Sequence, residues 1–151
     1  MLAPAVVFVQ ALAALHVICV VGAFGVPFAF PLLAMAVEKT NPEAIPALYR
    51  ARVFAGRAIV NPGLLLVLAF GLWAAAKLSA FHQFYVQWGI AAVIVIGGLE
   101  GAVVMRGCKQ VAASADPSAP QTRAARRQVD LASWAIVLIV VVTIYLMAVQ
   151  A

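Results

Sequence analysis

The chain has 151 residues, of which 66% are hydrophobic and 10% charged, and its mean hydropathy is +1.08. A soluble domain carries about 25% charged residues and 45–50% apolar ones, so the apolar excess has to be dissolved in lipid. The formal net charge of +5 does not point to nucleic acid: no basic run is interleaved with aromatic residues, and in a membrane protein such charge belongs to the segments that anchor cytoplasmic ends.

The first apolar run extends from Pro4 to Val37 without a charge, too long for one straight crossing of about 20 residues. Pro27 and Pro31 each remove a backbone donor and tend to kink or end a helix. The first span is therefore expected at residues 4–26, followed by a kinked extension that leaves the bilayer before Glu38. No Lys or Arg precedes this run, so it lacks the basic leader of a cleaved signal peptide and is expected to stay as a span. A cytoplasmic loop is expected at 38–54, with Thr40 or Asn41 able to cap a short helix and Pro42 suited to its first turn. The second span is expected at 55–76, where Asn61-Pro62-Gly63 predicts a kink. The third follows at 84–105, a polar cytoplasmic loop at 106–129, and the fourth span at 130–150. The last is dense in Val and Ile, but a lipid-exposed span must satisfy its backbone internally and so is helical. The expected fold is an all-α, four-helix transmembrane bundle, a single membrane domain over residues 1–151.

Nine of the ten basic residues fall in the first or third connection: Lys39, Arg50, Arg52, Arg57, Arg106, Lys109, Arg123, Arg126 and Arg127. Lys77 alone lies in the second. By the positive-inside rule, both termini and the second connection face outward, as expected of a multi-pass protein of a bacterial cytoplasmic (inner) membrane. Trp73, Phe81, Phe84, Tyr85 and Trp88 form an aromatic belt at that outer end. Cys19 and Cys108 are the only cysteines, one inside a span and one at a helix end, which is not a disulfide framework.

Ionisable groups at membrane depth are expensive, so each is a candidate for function. His16 sits about 18 Å from the outer end of its span at 1.5 Å per residue, near mid-membrane. It could ligate haem, bond to a neighbouring helix or point into a small polar cavity. His82 lies at the outer surface, too far in depth to share one iron with it. Glu100, Arg57 and Asn61 share the inner third of the bilayer. Glu100 could act as a proton relay or meet a substrate; the structural reading, an ion pair of Glu100 with Arg57 tying two helices together, is preferred because a buried charge needs a partner. Gly97 and Gly101 are four apart, the spacing that lets membrane helices pack closely. The same spacing can mark where a cofactor or lipid tail packs. No zinc, nucleotide or nucleophile motif occurs, and no catalytic residue or metal site is assigned.

His16 to Pro31, followed by the second-span stretch with Pro62 and then Gly71, Leu72 and Trp73, resembles a bacterial superfamily of small four-helix membrane proteins. One member is the haem-dependent protoporphyrinogen IX oxidase family, whose resemblance would make His16 a ligand of a b-type haem. That family has an intramembrane Lys in its third span, and residues 84–105 contain none, so only His16 carries over. The chain also looks like an uncharacterised family of four-span bacterial membrane proteins, a resemblance that implies the fold and no activity. Two functions are expected in order. The first is a non-enzymatic accessory subunit docked in the lipid bilayer on other integral membrane subunits, for instance of a respiratory complex. The second is a b-type haem or quinone-linked redox protein using His16. A small transporter comes third.

Overall fold

A computed structural model describes residues 4–150, and among them there is helix and no strand. The fold is an all-α bundle with four helices long and apolar enough to cross a membrane. The first is α1, Pro4–Thr40, one continuous helix of 37 residues. The second is assembled from α2, Ile45–Ala55, a π-helical turn at Gly56–Val60 and α3, Asn61–Lys77. The third joins α4, Phe84–Leu99, through a second π-helical turn, Glu100–Val104, to α5, Met105–Ala113. The fourth is α6, Pro120–Gln150.

These helices run well beyond the expected spans. The segments 38–54 and 106–129, expected as loops, are mostly helical: α1 reaches Thr40, α2 begins at Ile45, α5 ends at Ala113 and α6 starts at Pro120. The polarity that suggested loops instead belongs to helical turns beyond the apolar stretches. A 37-residue helix is about 55 Å long at 1.5 Å per residue, against a hydrocarbon core of about 30 Å. What remains between α5 and α6 is a short turn at 114–119. The Asp116 carboxylate accepts from the Ser118 N–H at 2.8 Å and its hydroxyl at 2.6 Å, and these bonds hold it below the ordinary range. Ser114 and Thr122 hydroxyls, 2.8 Å apart, tie the two helix ends together.

The prolines bend the expectation too. Pro27 and Pro31 lie inside α1 and do not end it. Both are buried, and their spacing of four puts them on one helix face, so the carbonyls they leave without a donor face protein rather than lipid, where such defects are tolerated. Pro62 is met differently. In the π-helical turn before it, the Asn61 N–H reaches back to the Gly56 carbonyl, one residue further than in an α-helix, and the widened turn precedes the ring that would otherwise crowd it.

Each long helix buries one stripe. In the second it runs Ile45, Tyr49, Arg52, Gly56, Val60, Leu64, Val67 and Ala75; in the third, Gly89, Ala92, Ile96, Glu100, Val104, Cys108 and Val111. Steps of three and four keep each set on one face. α1 contributes Ala23, Phe24, Phe30 and Ala34, and α6 contributes Ala125, Val129, Ile136 and Val140. Close approaches occur at several glycines, Gly63 and Gly107 among them. A Cβ on Gly63 would come within 2.8 Å of the Ala23 Cβ, and one on Gly107 would run into Val129.

The expected seam lies elsewhere. Gly97 and Gly101 are exposed, and a Cβ on either would meet nothing within 4 Å. They stand one residue off the buried stripe, a rotation of about 100° on a helix of 3.6 residues per turn. That turns them outward, away from the other three helices.

Candidate functional site

Two polar constellations occupy the bundle, one toward each end. The first lies at the basic end, where the helices carry most of their Lys and Arg. Arg52 Nη2 donates to both oxygens of Glu100, at 2.6 and 2.8 Å, and the two side chains are 0% and 1% exposed. Glu100 is therefore paired across helices as expected, but with a different arginine. Arg57 and Asn61 are both exposed and take no part. The reason is rotational: Arg52 falls on the buried stripe of its helix and Arg57, five residues on, does not.

The surroundings hold this pair in place. The Phe30 ring centroid lies 5.6 Å from the Arg52 guanidinium carbon, and the Tyr49 ring packs on Phe30 edge-on at 5.1 Å. Gly56 leaves the space that Arg52 and Met105 fill: a Cβ there would be 3.2 Å from Nη1 and 2.7 Å from the Met105 sulfur. Among the described residues, Arg52 Nε and Nη1 and the buried Tyr49 hydroxyl have no hydrogen-bond partner. A second ion pair, Arg126 to Glu38 at 2.7 Å, lies nearer the surface and joins α6 to the end of α1.

The second constellation lies toward the end that carries the 78–83 turn. α1, α3, α4 and α6 part there around a cavity of about 460 Å³, within the range of small-molecule sites. Small residues create the space: Ala13, Gly71, Ala74, Gly89 and Ala92 all line it. The walls are almost wholly apolar, and His16 is the one imidazole among them. Its Nδ1 lies 3.0 Å from the Val67 carbonyl. A carbonyl only accepts, so Nδ1 carries the proton and donates, which fixes the ring's orientation. Gly71 makes the fit possible, since a Cβ there would stand 3.1 Å from His16 Cε1. Nε2 has no hydrogen-bond partner among the described residues, and in the neutral ring it is an acceptor. Thr143, also in the wall, accepts from the Trp88 indole at 3.0 Å and donates to the Ile139 carbonyl.

Of the other sequence candidates, His82 is exposed in the turn, 3.2 Å from the Gln83 amide. Cys19 is half-buried and Cys108 buried, both as free thiols. No group of three or more His, Cys, Asp or Glu gathers as a metal site among the described residues.

A b-type haem asks for an axial nitrogen or sulfur and for polar or cationic groups at its two propionates. His16 Nε2 meets the first need. No Lys or Arg lines the cavity to meet the second, so the donor set does not fit a haem and suits an uncharged ligand instead. The cavity itself was not foreseeable in the sequence, because its small residues come from three helices; Gly71 and His16 become partners only once α1 and α3 are packed. Comparison of the chain with family models, with curated proteins and with solved structures finds no match.

Proposed function

We propose that this protein is a multi-pass protein of a bacterial cytoplasmic membrane that binds a lipid-soluble, hydroxyl-bearing molecule of the quinol class in its intramembrane cavity. The observation that carries this reading is His16, anchored through Nδ1 to Val67 and offering Nε2 as an acceptor among apolar walls. A quinol hydroxyl donates to such a nitrogen. The corresponding quinone offers only carbonyl oxygens, which face the Nε2 lone pair without a proton between them. The site therefore distinguishes the reduced ligand from the oxidised one, and the fused apolar walls accept a ring and the start of an isoprenoid chain.

The test is a titration of the detergent-purified protein with a short-chain benzoquinol and with its quinone, followed by tryptophan fluorescence, since Trp88 is bonded to the cavity wall at Thr143. The quinol is expected to bind about tenfold more tightly, as one hydrogen bond to a buried acceptor implies. His16→Phe is expected to remove that preference. Equal affinity for the two forms, or a preference that survives in His16→Phe, would sink the reading. An absorption spectrum of the same preparation is expected to show no stoichiometric haem; one tightly bound b-type haem per chain would favour the oxidase-like reading instead.

A second reading, an accessory subunit of a larger membrane complex, is supported by the open glycine face at Gly97 and Gly101. Small residues on a lipid-facing surface let another helix approach closely. The two readings are compatible, because the cavity and the glycine face use different surfaces.

Both place the 78–83 turn outside the cytoplasm, on the division of basic residues between the two ends. Cysteines at His82 and Ala115, in a chain with Cys19 and Cys108 replaced by serine, are expected to react with an impermeant thiol reagent from opposite sides of the membrane. Labelling of the Ala115 position in intact cells would reverse the orientation.

A further inference from the structure

We propose that the groove between α2 and α5 at the basic end is a binding site for the phosphodiester headgroup of an anionic phospholipid. A pocket of about 240 Å³ opens there, lined by Arg50 and Val53 on one side and by Lys109, Ala112 and Ala113 on the other. No acidic side chain lines it. Arg50 and Lys109 thus reach it from opposite walls, with Val53 and Ala112 as an apolar floor. Arg57 and Arg106, both exposed, stand one turn beyond Val53 and Lys109 toward the membrane and extend the same positive strip.

Among the described residues these cations are not spent in ion pairs. The ion pairs among the described residues are Arg52–Glu100 and Arg126–Glu38, and none of Arg50, Arg57, Arg106 or Lys109 belongs to one. Arg50 Nη1 makes one long bond to the Ala112 carbonyl, at 3.4 Å. That bond points the guanidinium across the groove and leaves its other N–H groups for an anion.

Depth selects a lipid over a dissolved anion. A crossing takes about 20 residues, so counting from Lys77 and Phe84 puts Arg57 and Arg106 at the far edge of the hydrocarbon. Arg50 and Lys109 then lie about 10 and 5 Å further out at 1.5 Å per residue, at the depth of phospholipid headgroups. A phosphodiester held between them leaves its glycerol on Val53 and Ala112 and its acyl chains running back along the helices. Basic pockets between membrane helices at this depth are a recognised form of headgroup site.

The shared chemistry is phosphate, and the experiment separates its sources. The purified chain is titrated with dihexanoyl phosphatidylglycerol, dihexanoyl phosphatidylcholine and inorganic phosphate, reading the thermal midpoint, with native mass spectrometry for stoichiometry. Phosphatidylglycerol is expected to raise the midpoint and saturate at one per chain, while the other two do not. Arg50→Gln with Lys109→Gln is expected to raise its half-saturating concentration about 30-fold, and Lys109→Gln alone about fivefold. The single variant removes no hydrogen bond among the described residues, so it reports binding even if the double variant folds poorly. Equal stabilisation by inorganic phosphate would overturn the lipid assignment. Uptake that never saturates, or affinity unchanged in Lys109→Gln, would reduce the groove to general surface attraction and overturn the site.

Discussion

Glu100→Met is expected to destabilise the bundle by about 3–5 kcal/mol, whereas Arg52→Met combined with Glu100→Met is expected to restore most of that loss. The pair is fully buried, with its two side chains at 0% and 1% exposure. Removing the carboxylate leaves a guanidinium that cannot shed its charge and has no other acidic partner among the described residues. Removing both charges leaves two unbranched apolar chains of similar volume beside Phe30 and Met105. Arg52→Met alone is expected to fall between the two, because the Glu100 carboxyl it strands can become neutral by taking a proton. The order of the three variants, read from thermal unfolding in one detergent, is the test. A double variant as unstable as Glu100→Met would show that the site needs its polar groups for something other than mutual compensation, such as an ordered water on the unpartnered Arg52 nitrogens.

That pair also shows what the sequence disclosed and what it hid. Glu100 was recognisable as a buried acid needing a cation, because a charge in an apolar run leaves few alternatives. Its partner was not, because depth alone does not separate Arg52 from Arg57. Arg52 and Arg57 differ by about 7.5 Å along a helix and by about 140° around it, and the rotation decides. The signal lay in the spacing of Tyr49, Gly56, Val60 and Leu64, which puts Arg52 on their stripe and leaves Arg57 off it. In a membrane helix that stripe is hard to see: lipid-facing and buried positions are both apolar, so hydrophobic periodicity loses the contrast it has in water. Small residues and polar residues have to supply it.

The helices run beyond the expected spans for a related reason. Hydropathy finds the part of a helix that lies in hydrocarbon. It does not say whether the helix stops there. Arg50, Arg52, Lys109 and Arg126 sit on helical turns beyond the expected spans, and those turns supply the groove's Arg50 and Lys109 and the arginines of both ion pairs. The polarity of 38–54 and 106–129 reports solvent contact rather than backbone shape.

Gly63→Leu is expected to cost about 3 kcal/mol or more, and Gly101→Leu to leave the fold intact. At Gly63 even the first carbon of a side chain would meet the Ala23 Cβ at 2.8 Å and its Cα at 3.1 Å. A Cα cannot turn aside as a flexible side chain can, so α1 and α3 would have to separate along a contact that also carries the His16–Val67 bond. Overpacking of this kind costs about 1–3 kcal/mol where neighbours yield, and more where they are backbone. Gly63→Leu should therefore lower the thermal midpoint and weaken quinol binding together. At Gly101 the same leucine would point into open space, so helicity and midpoint should match the parent chain. If the outward glycine face receives another membrane subunit, Gly101→Leu should instead abolish its co-purification from native membranes while the purified chain stays folded. An unfolded Gly101→Leu would contradict the outward placement of that face, and a Gly63→Leu chain with unchanged stability would contradict the close crossing of α1 and α3.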